Sequence, residues 1–173
     1  AYHDIRYRMA SALYASRFPH YESHRPNNGY REYAGLARRL LLERQYRTEA
    51  ERVTERLLAK KLPYYLFPLQ LNSDSQIQVH SPFDGIRQAI DHVLASFAAH
   101  APTGALLVIK NHPLDTGLIE YRQYAKKAAK TLGMADRLEF IDAGHLPTLL
   151  DHARGVVVVN STVGLSALHH RRP

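Results

Sequence analysis

Apolar positions change their rhythm near residue 62. From Tyr30 to Lys61 they recur at helical spacing, at Leu36, Leu40 and Leu41 and later at Val53, Leu57 and Leu58, with Arg and Glu between them, which predicts one long amphipathic helix. Beyond it they come in short unbroken runs: Tyr64-Tyr65-Leu66-Phe67-Pro68-Leu69-Gln70, Ala105-Leu106-Leu107-Val108-Ile109-Lys110, Leu138-Glu139-Phe140-Ile141 and Gly155-Val156-Val157-Val158-Val159. Each is of strand length, and the near-absence of polar alternation predicts strands covered on both faces. Helical stretches lie between them. One runs over 84–99, opened by Ser81-Pro82-Phe83-Asp84, and another over 117–132, Lys-rich near its end and closed by Gly133. A short one runs from His145-Leu146-Pro147 to Ala153, and a last one follows Asn160-Ser161-Thr162. Four strand–helix units in a row predict an α/β fold with a doubly wound, parallel (Rossmann-like) sheet.

Residues 1–61 read as a basic helical, interdomain segment and 62–173 as the Rossmann-like domain. Two Pro and an Asn-Asn-Gly make Phe18 to Gly29 an irregular loop ahead of the long helix. The chain opens mid-pattern at Ala-Tyr-His-Asp and stops after a helix, where a further strand would follow, so it is expected to be a piece of a longer protein.

Composition narrows the chemistry. Without Cys there is neither a disulfide framework nor a thiolate metal site. No apolar run approaches the roughly 18 residues a membrane helix needs. Charge is uneven: residues 1–60 hold twelve Lys or Arg against seven acids, and 61–173 hold eleven against nine. The first third, which also carries seven of the eleven Tyr, suits an anionic partner unless its Arg simply form a solvated helical face. It lacks zinc-finger spacing, an aromatic RNA-binding strand motif and a basic-zipper heptad, so nucleic acid is not the expected partner. The eleven His show no His-Glu-x-x-His spacing, and the adjacent His169-His170 are expected to point apart on a helix, so no metal is expected.

Three polar clusters fall where the pattern places strand carboxyl ends, the position of ligand crevices in open α/β sheets. They are Gln70-Leu71-Asn72-Ser73-Asp74, Lys110-Asn111-His112-Pro113 and Asn160-Ser161-Thr162-Val163-Gly164. Ser161 and Thr162 either cap the last helix or offer its free N–H groups to a phosphate, and Gly164 permits the close approach of a ligand or a strand. His112 is either a structural imidazole bonded to backbone or, protonated beside a phosphate, a general acid. Asp74 lies in turn chemistry and is either a turn-former or a nucleophile or base.

Pro68-Leu69-Gln70 through Asp74-Ser75-Gln76-Ile77, His80-Ser81-Pro82-Phe83, Lys110-Asn111-His112-Pro113-Leu114-Asp115, Arg137 with Phe140-Ile141-Asp142, and Asn160 through Leu168 together resemble the bacterial capsule polysaccharide synthesis and export family, proteins similar to the β-Kdo glycosyltransferases of group 2 type capsules. The resemblance covers the chain from about His24-Arg25-Pro26 onward. It implies the C-terminal, nucleotide-sugar-binding half of a GT-B glycosyltransferase, retaining in stereochemistry, with CMP-Kdo as donor. It further implies Asp74 and Gln70 as the catalytic motif, with His112 and Pro113 at the donor phosphate. Lys110, Asn160, Ser161, Thr162 and Gly164 complete the nucleotide and phosphate set. Neither metal nor other cofactor is implied. The acceptor would be an anionic lipid or Kdo linker, met by a cytoplasmic protein peripheral to the inner membrane and working with the capsule assembly machinery. A non-catalytic export or scaffold component, and a UDP-sugar epimerase-like GT-B protein, are the alternatives.

Overall fold

A long helix, α1 (Gly29–Ala59), leads directly into a four-stranded parallel sheet. The computed structural model describes residues 6, 7, 10, 14–17, 20 and 29–173. The loop expected over Phe18 to Gly29 therefore lies largely outside the described residues. The strands are β1 (Tyr64–Pro68), β2 (Leu106–Lys110), β3 (Leu138–Ile141) and β4 (Gly155–Val156), in the order β3-β2-β1-β4. Register runs from Tyr64↔Leu106 to Pro68↔Lys110 between β1 and β2, and from Leu107↔Leu138 to Lys110↔Ile141 between β2 and β3. The chain steps outward from β1 to β3, then returns to the other side of β1 for β4. That reversal makes the β1/β4 boundary the switch point, where the carboxyl-end loops part and open a crevice.

The remaining helices are α2 (Ser75–Gln78), α3 (Ile86–His100), α4 (Tyr121–Thr131), α5 (Leu146–His152) and α6 (Val163–His169). On one face Phe67, Leu107, Ile109 and Phe140 pack with Ile90 and Leu94 of α3 and Ala125 and Ala129 of α4. On the other, Leu66, Val108 and Ile141 pack with Ala50 and Leu57 of α1, Leu149 and Leu150 of α5 and Ala167 of α6. Both faces of the sheet are thus covered, which is why the strands carry apolar residues without alternation. The long helix, read from sequence as standing ahead of the α/β unit, covers part of its second face.

Several boundaries differ from the sequence expectation. Helix α4 starts at Tyr121 rather than 117, because 111–120 forms a polar loop with Gly117 at φ +68°. It ends as expected at Gly133, whose φ of +69° lets Met134 N–H reach the Ala129 carbonyl at 2.9 Å. Helix α3 starts at Ile86, whose N–H is held at 3.0 Å by the side chain of Asn72 from the β1 loop. The Val run of β4 leaves the ladder after two residues. Val157 N–H still donates to the Leu66 carbonyl at 2.8 Å, but the next donor due from β1 is Pro68, which has no N–H.

The apolar stripe of α1 is only half used. Leu57 is buried, whereas Leu40 and Leu41 are 71% and 85% exposed. The reason is length: 31 residues of helix extend about 46 Å, while a five-residue strand spans about 17 Å. The N-terminal half of α1 therefore overhangs the strand carboxyl ends and meets loops instead of sheet. The approach is close at Gly35, where an added Cβ would lie 2.3 Å from the Thr116 carbonyl oxygen. Gly35→Ala is expected to destabilise the protein by about 1–3 kcal/mol despite alanine's better helix propensity, measured by urea unfolding; a stabilised variant would show that this contact yields freely.

Candidate functional site

The loop after β1 is tied across the switch point. Gln70, buried, donates through Nε2 to Asn160 Oδ1 at 3.1 Å, and Asn160 Nδ2 donates to the carbonyls of Gln76 at 2.7 Å and His80 at 3.2 Å. These two amides clamp the 70–81 loop to the end of β4, so their polar atoms serve the scaffold. Ser81 is a further joint, donating to the Ile77 carbonyl at 2.7 Å and accepting from Phe83 N–H at 3.1 Å. Asp74 occupies the N-cap of α2, its Oδ1 accepting from Gln76 N–H at 2.9 Å. That is the local duty of a turn aspartate, and it holds the carboxylate at the crevice.

At the end of β2 two cations, Lys110 and Arg39, gather around His112. Lys110 is buried, and its Nζ makes one long contact, 3.5 Å to the Asn111 carbonyl, with no carboxylate in ion-pair range among the described residues. Burial lowers its pKa, the Arg39 guanidinium of α1 lowers it further, and Asp142 opposes both. His112 is half-buried, and its pKa lies below the usual 6.5 through burial first and then the charges of Lys110 and Arg39, opposed by Asp115 and Asp74. Its Nδ1 accepts from Leu114 N–H at 3.1 Å, which leaves the proton of the neutral ring on Nε2. A protonated imidazole, one of the two alternatives left open by the sequence, is disfavoured in the free protein, since neighbouring cations and low solvation both penalise its charge. What remains is a neutral Nε2–H donor with a carboxylate, Asp74, near enough to act on it electrostatically.

Asn111 fixes this loop. Its Oδ1 accepts from His112 N–H at 2.9 Å, and its Nδ2 donates to Asp142 Oδ1 at 2.8 Å and Asp115 Oδ2 at 3.1 Å. Burial raises the Asp115 pKa, opposed by the hydrogen bonds from Asn111 and Gly117 N–H. Arg122 of α4 binds Asp142 Oδ2 at 2.6 Å and Glu49 of α1 at 2.5 and 2.7 Å. Arg39 donates to the Asp142 carbonyl at 2.6 Å. The overhanging helix is therefore joined to both strand-end loops by charge.

After β4, Ser161 Oγ accepts from Val163 N–H at 3.2 Å, and Gly164 N–H donates to the Ser161 carbonyl at 3.0 Å. Two N–H groups expected to be free for a phosphate are thus occupied within the turn. The Thr162 hydroxyl makes no capping bond. Gly164 admits the strand: an added Cβ would lie 3.2 Å from a Val158 methyl. Pro113 is exposed at the loop tip. His169 and His170 do not point apart, since their rings meet edge-on at 5.7 Å and His170 Nδ1 pairs with Asp151 at 2.5 Å.

Structure thus brings the charges of Lys110 and Asp74 to bear on His112, with Gln70 and Asn160 clamping the Asp74 loop. Arg39, Asp142 and Arg122 were not singled out from sequence as site residues. Arg39 lies 71 positions before Lys110, and nothing local separates it from the other arginines of α1.

Comparison with known proteins places these residues in context. A family model described as capsule polysaccharide biosynthesis protein matches residues 1–173. The chain is 36% identical over 172 residues to the capsule polysaccharide export protein KpsS of Escherichia coli, covering 99% of this chain and 44% of that protein. It is 34% identical over 171 residues to the capsule polysaccharide modification protein LipB of Neisseria meningitidis serogroup A, covering 98% of this chain and 41% of that one. The chain spans less than half the length of these curated relatives. Among solved structures, Thermosulfurimonas dismutans KpsC, a beta Kdo 2,7 transferase, aligns with a TM-score of 0.46 at 26% identity, over 86% of this chain and 46% of that one.

Proposed function

The chain belongs to the capsule polysaccharide biosynthesis family, and from that premise we propose that it forms the donor-binding, C-terminal half of a GT-B, CMP-Kdo-dependent retaining glycosyltransferase. The observation that carries the reading is that the Lys110 and Arg39 cations gather around His112 at the end of β2, while the Asp74 carboxylate of the β1 exit loop acts on the same imidazole. A carboxylate facing a cation cluster suits a sugar electrophile whose leaving group is an anionic phosphate. In the first displacement the Asp74 carboxylate attacks the anomeric carbon as the bond to the CMP phosphate oxygen breaks. The His112 Nε2–H donates to that oxygen, and the two fixed cations offset its charge. An acceptor hydroxyl then displaces the carboxylate, its proton passing to the released CMP phosphate, so two inversions amount to retention. Gln70 and Asn160 act by holding the Asp74 loop, and Ser161 and Thr162 supply hydroxyls near the phosphate. The anionic acceptor, a Kdo linker or lipid, is met at a membrane surface with other capsule proteins; among the described residues no helix is long and apolar enough to cross a membrane.

Calorimetric titration with CMP, with UDP as control, tests the donor. CMP is expected to bind selectively and His112→Gln to weaken it roughly tenfold, the cost of one hydrogen bond to a charged group. The lowered His112 pKa fixes a pH dependence. Anion binding beside Nε2 raises that pKa, so the complex takes up protons and affinity gains strength as pH falls toward the free-protein value. Titrations in buffers of different ionisation enthalpy should show net uptake that His112→Gln reduces; unchanged uptake would remove His112 from the phosphate. Without ligand the sign is the opposite for stability: below pH 6.5 the unfolded chain binds a proton that folded His112 resists, so stability falls. The Escherichia coli relative, a capsule polysaccharide export protein, favours one other reading, a non-catalytic export component, for which the Asp74 charge would be dispensable. Tighter UDP than CMP binding would instead point to an epimerase-like protein.

A further inference from the structure

Parallel register decides which side chains meet beyond the ends of β2 and β3. Lys110 pairs with Ile141, and Asn111 N–H extends the ladder to the Ile141 carbonyl at 2.8 Å, so Asn111 and Asp142 leave the sheet side by side. Both are buried, at 6% and 8% exposure, where a polar atom without a partner is costly. Asn111 is satisfied at both ends of its amide. Its Nδ2 donates to Asp142 Oδ1 and Asp115 Oδ2, and its Oδ1 accepts the backbone N–H of His112. The amide fits one way only: turned over, it would set oxygen against two carboxylates and NH2 against an N–H. Asp142 is fixed in turn, because Arg122 holds its Oδ2 through Nε at 3.1 Å and Nη2 at 2.6 Å and leaves Oδ1 for Asn111. Beyond Arg122 the bonds run on to Glu49 of α1.

His112 stands at the other end of this chain of bonds. Asn111 holds its N–H, its carbonyl accepts from Asp115 N–H at 3.0 Å, and its ring Nδ1 accepts from Leu114 N–H at 3.1 Å. These bonds define where the turn over 111–115 presents Nε2. We propose that Asn111 and Asp142 are positioning residues for His112: the carboxylate dictates which way the amide faces, and the amide delivers the imidazole with its Nε2–H toward the crevice. Neither needs to touch the substrate. What Nε2–H meets there rests on the reading given under Proposed function; the positioning itself does not.

Reversing the polarity of the pair tests this. In Asp142→Asn the oxygen stays with the charged Arg122, so NH2 faces Asn111 Nδ2; Asn111 then turns over and passes the conflict to His112 N–H. Asn111→Asp has the converse fault, a carboxylate facing Asp142 and Asp115. In Asn111→Asp/Asp142→Asn the new amide donates to the new carboxylate, which still accepts from His112 N–H. Only Asp115 then faces a carboxylate, and burial already favours its protonated form. In the full-length protein labelled with 15N-histidine, the ring signals lost in His112→Gln identify His112. They should report one neutral tautomer, protonated at Nε2, in the parent, a mixture in each single variant and one tautomer again in the double variant. CMP affinity by calorimetry should fall roughly tenfold in each single variant and return to within about threefold in the double. Asn111→Ala, which removes the support of His112 without creating a clash, should behave like the other single variants and keeps the test decisive if either of those does not fold. An undisturbed tautomer in the single variants, CMP affinity that they leave unaltered, or a double variant no better than the worse single would overturn the positioning role. Absence of CMP binding in the parent would remove the donor reading, while the nitrogen signals would still decide how His112 is held.

Discussion

Asp74→Asn is expected to lower transfer from CMP-Kdo by on the order of 10³-fold or more while CMP binds as before, assayed in the full-length protein. Asparagine is the informative replacement because Asp74 has two duties. Its Oδ1 caps α2 by accepting from Gln76 N–H at 2.9 Å, and asparagine caps helices about as well as aspartate. Alanine would add the loss of that cap, about 1 kcal/mol, and would blur a chemical effect with a local one. With the cap kept, the 70–81 loop stays clamped by Gln70 and Asn160, the phosphate cations at the end of β2 are untouched, and only the anionic nucleophile is gone. An Asp74→Asn protein that transfers normally would remove the catalytic assignment and favour the export-component reading.

Arg122→Ala is expected to destabilise the fold by about 3 kcal/mol, a large share of the roughly 5–15 kcal/mol that holds a domain folded. Burial works against the Arg122 charge, yet its bonds to Glu49 and Asp142 raise its pKa well above the ordinary value. Removing it leaves the Asp142 side chain, 10% exposed, without its cation, and releases Glu49 of α1. It also strips the guanidinium from the Phe140 ring, 5.5 Å away. Urea unfolding checks the size, and Asp142→Asn in the Arg122→Ala background should recover part of the loss by neutralising the orphaned carboxylate. A loss under about 1 kcal/mol, typical of surface pairs, would mean that α1 docks chiefly through its apolar residues Ala50 and Leu57.

Much of the frame was legible along the chain because its causes are local. A strand covered on both faces has no reason to alternate, so the runs at 64–70, 105–110 and 138–141 mark β1, β2 and β3, and polar clusters after them mark strand exits. Gly133 marks the end of α4 because the chain must turn through positive φ there. Local pattern also misled where a neighbour intervened. The Val run predicts a five-residue β4, but its partner runs out of donors at Pro68. The stripe through Leu40 and Leu41 predicts burial, but the helix outruns the sheet that would bury it.

What sequence alone determined, then, was the class of fold and which residues stand at the strand ends. Hydrophobic periodicity and turn chemistry act within a few residues, and their signal survives in the order of the letters. Tertiary structure decided the rest. The order β3-β2-β1-β4 put the crevice beside β1, and only then did Gln70 and Asn160, 90 positions apart, become each other's partners. The overhang of α1 brought Arg39 to Lys110 and Glu49 to Arg122. Such contacts arise from how elements pack, and electrostatic partners need to be close in space but not in sequence, so no spacing along the chain records them.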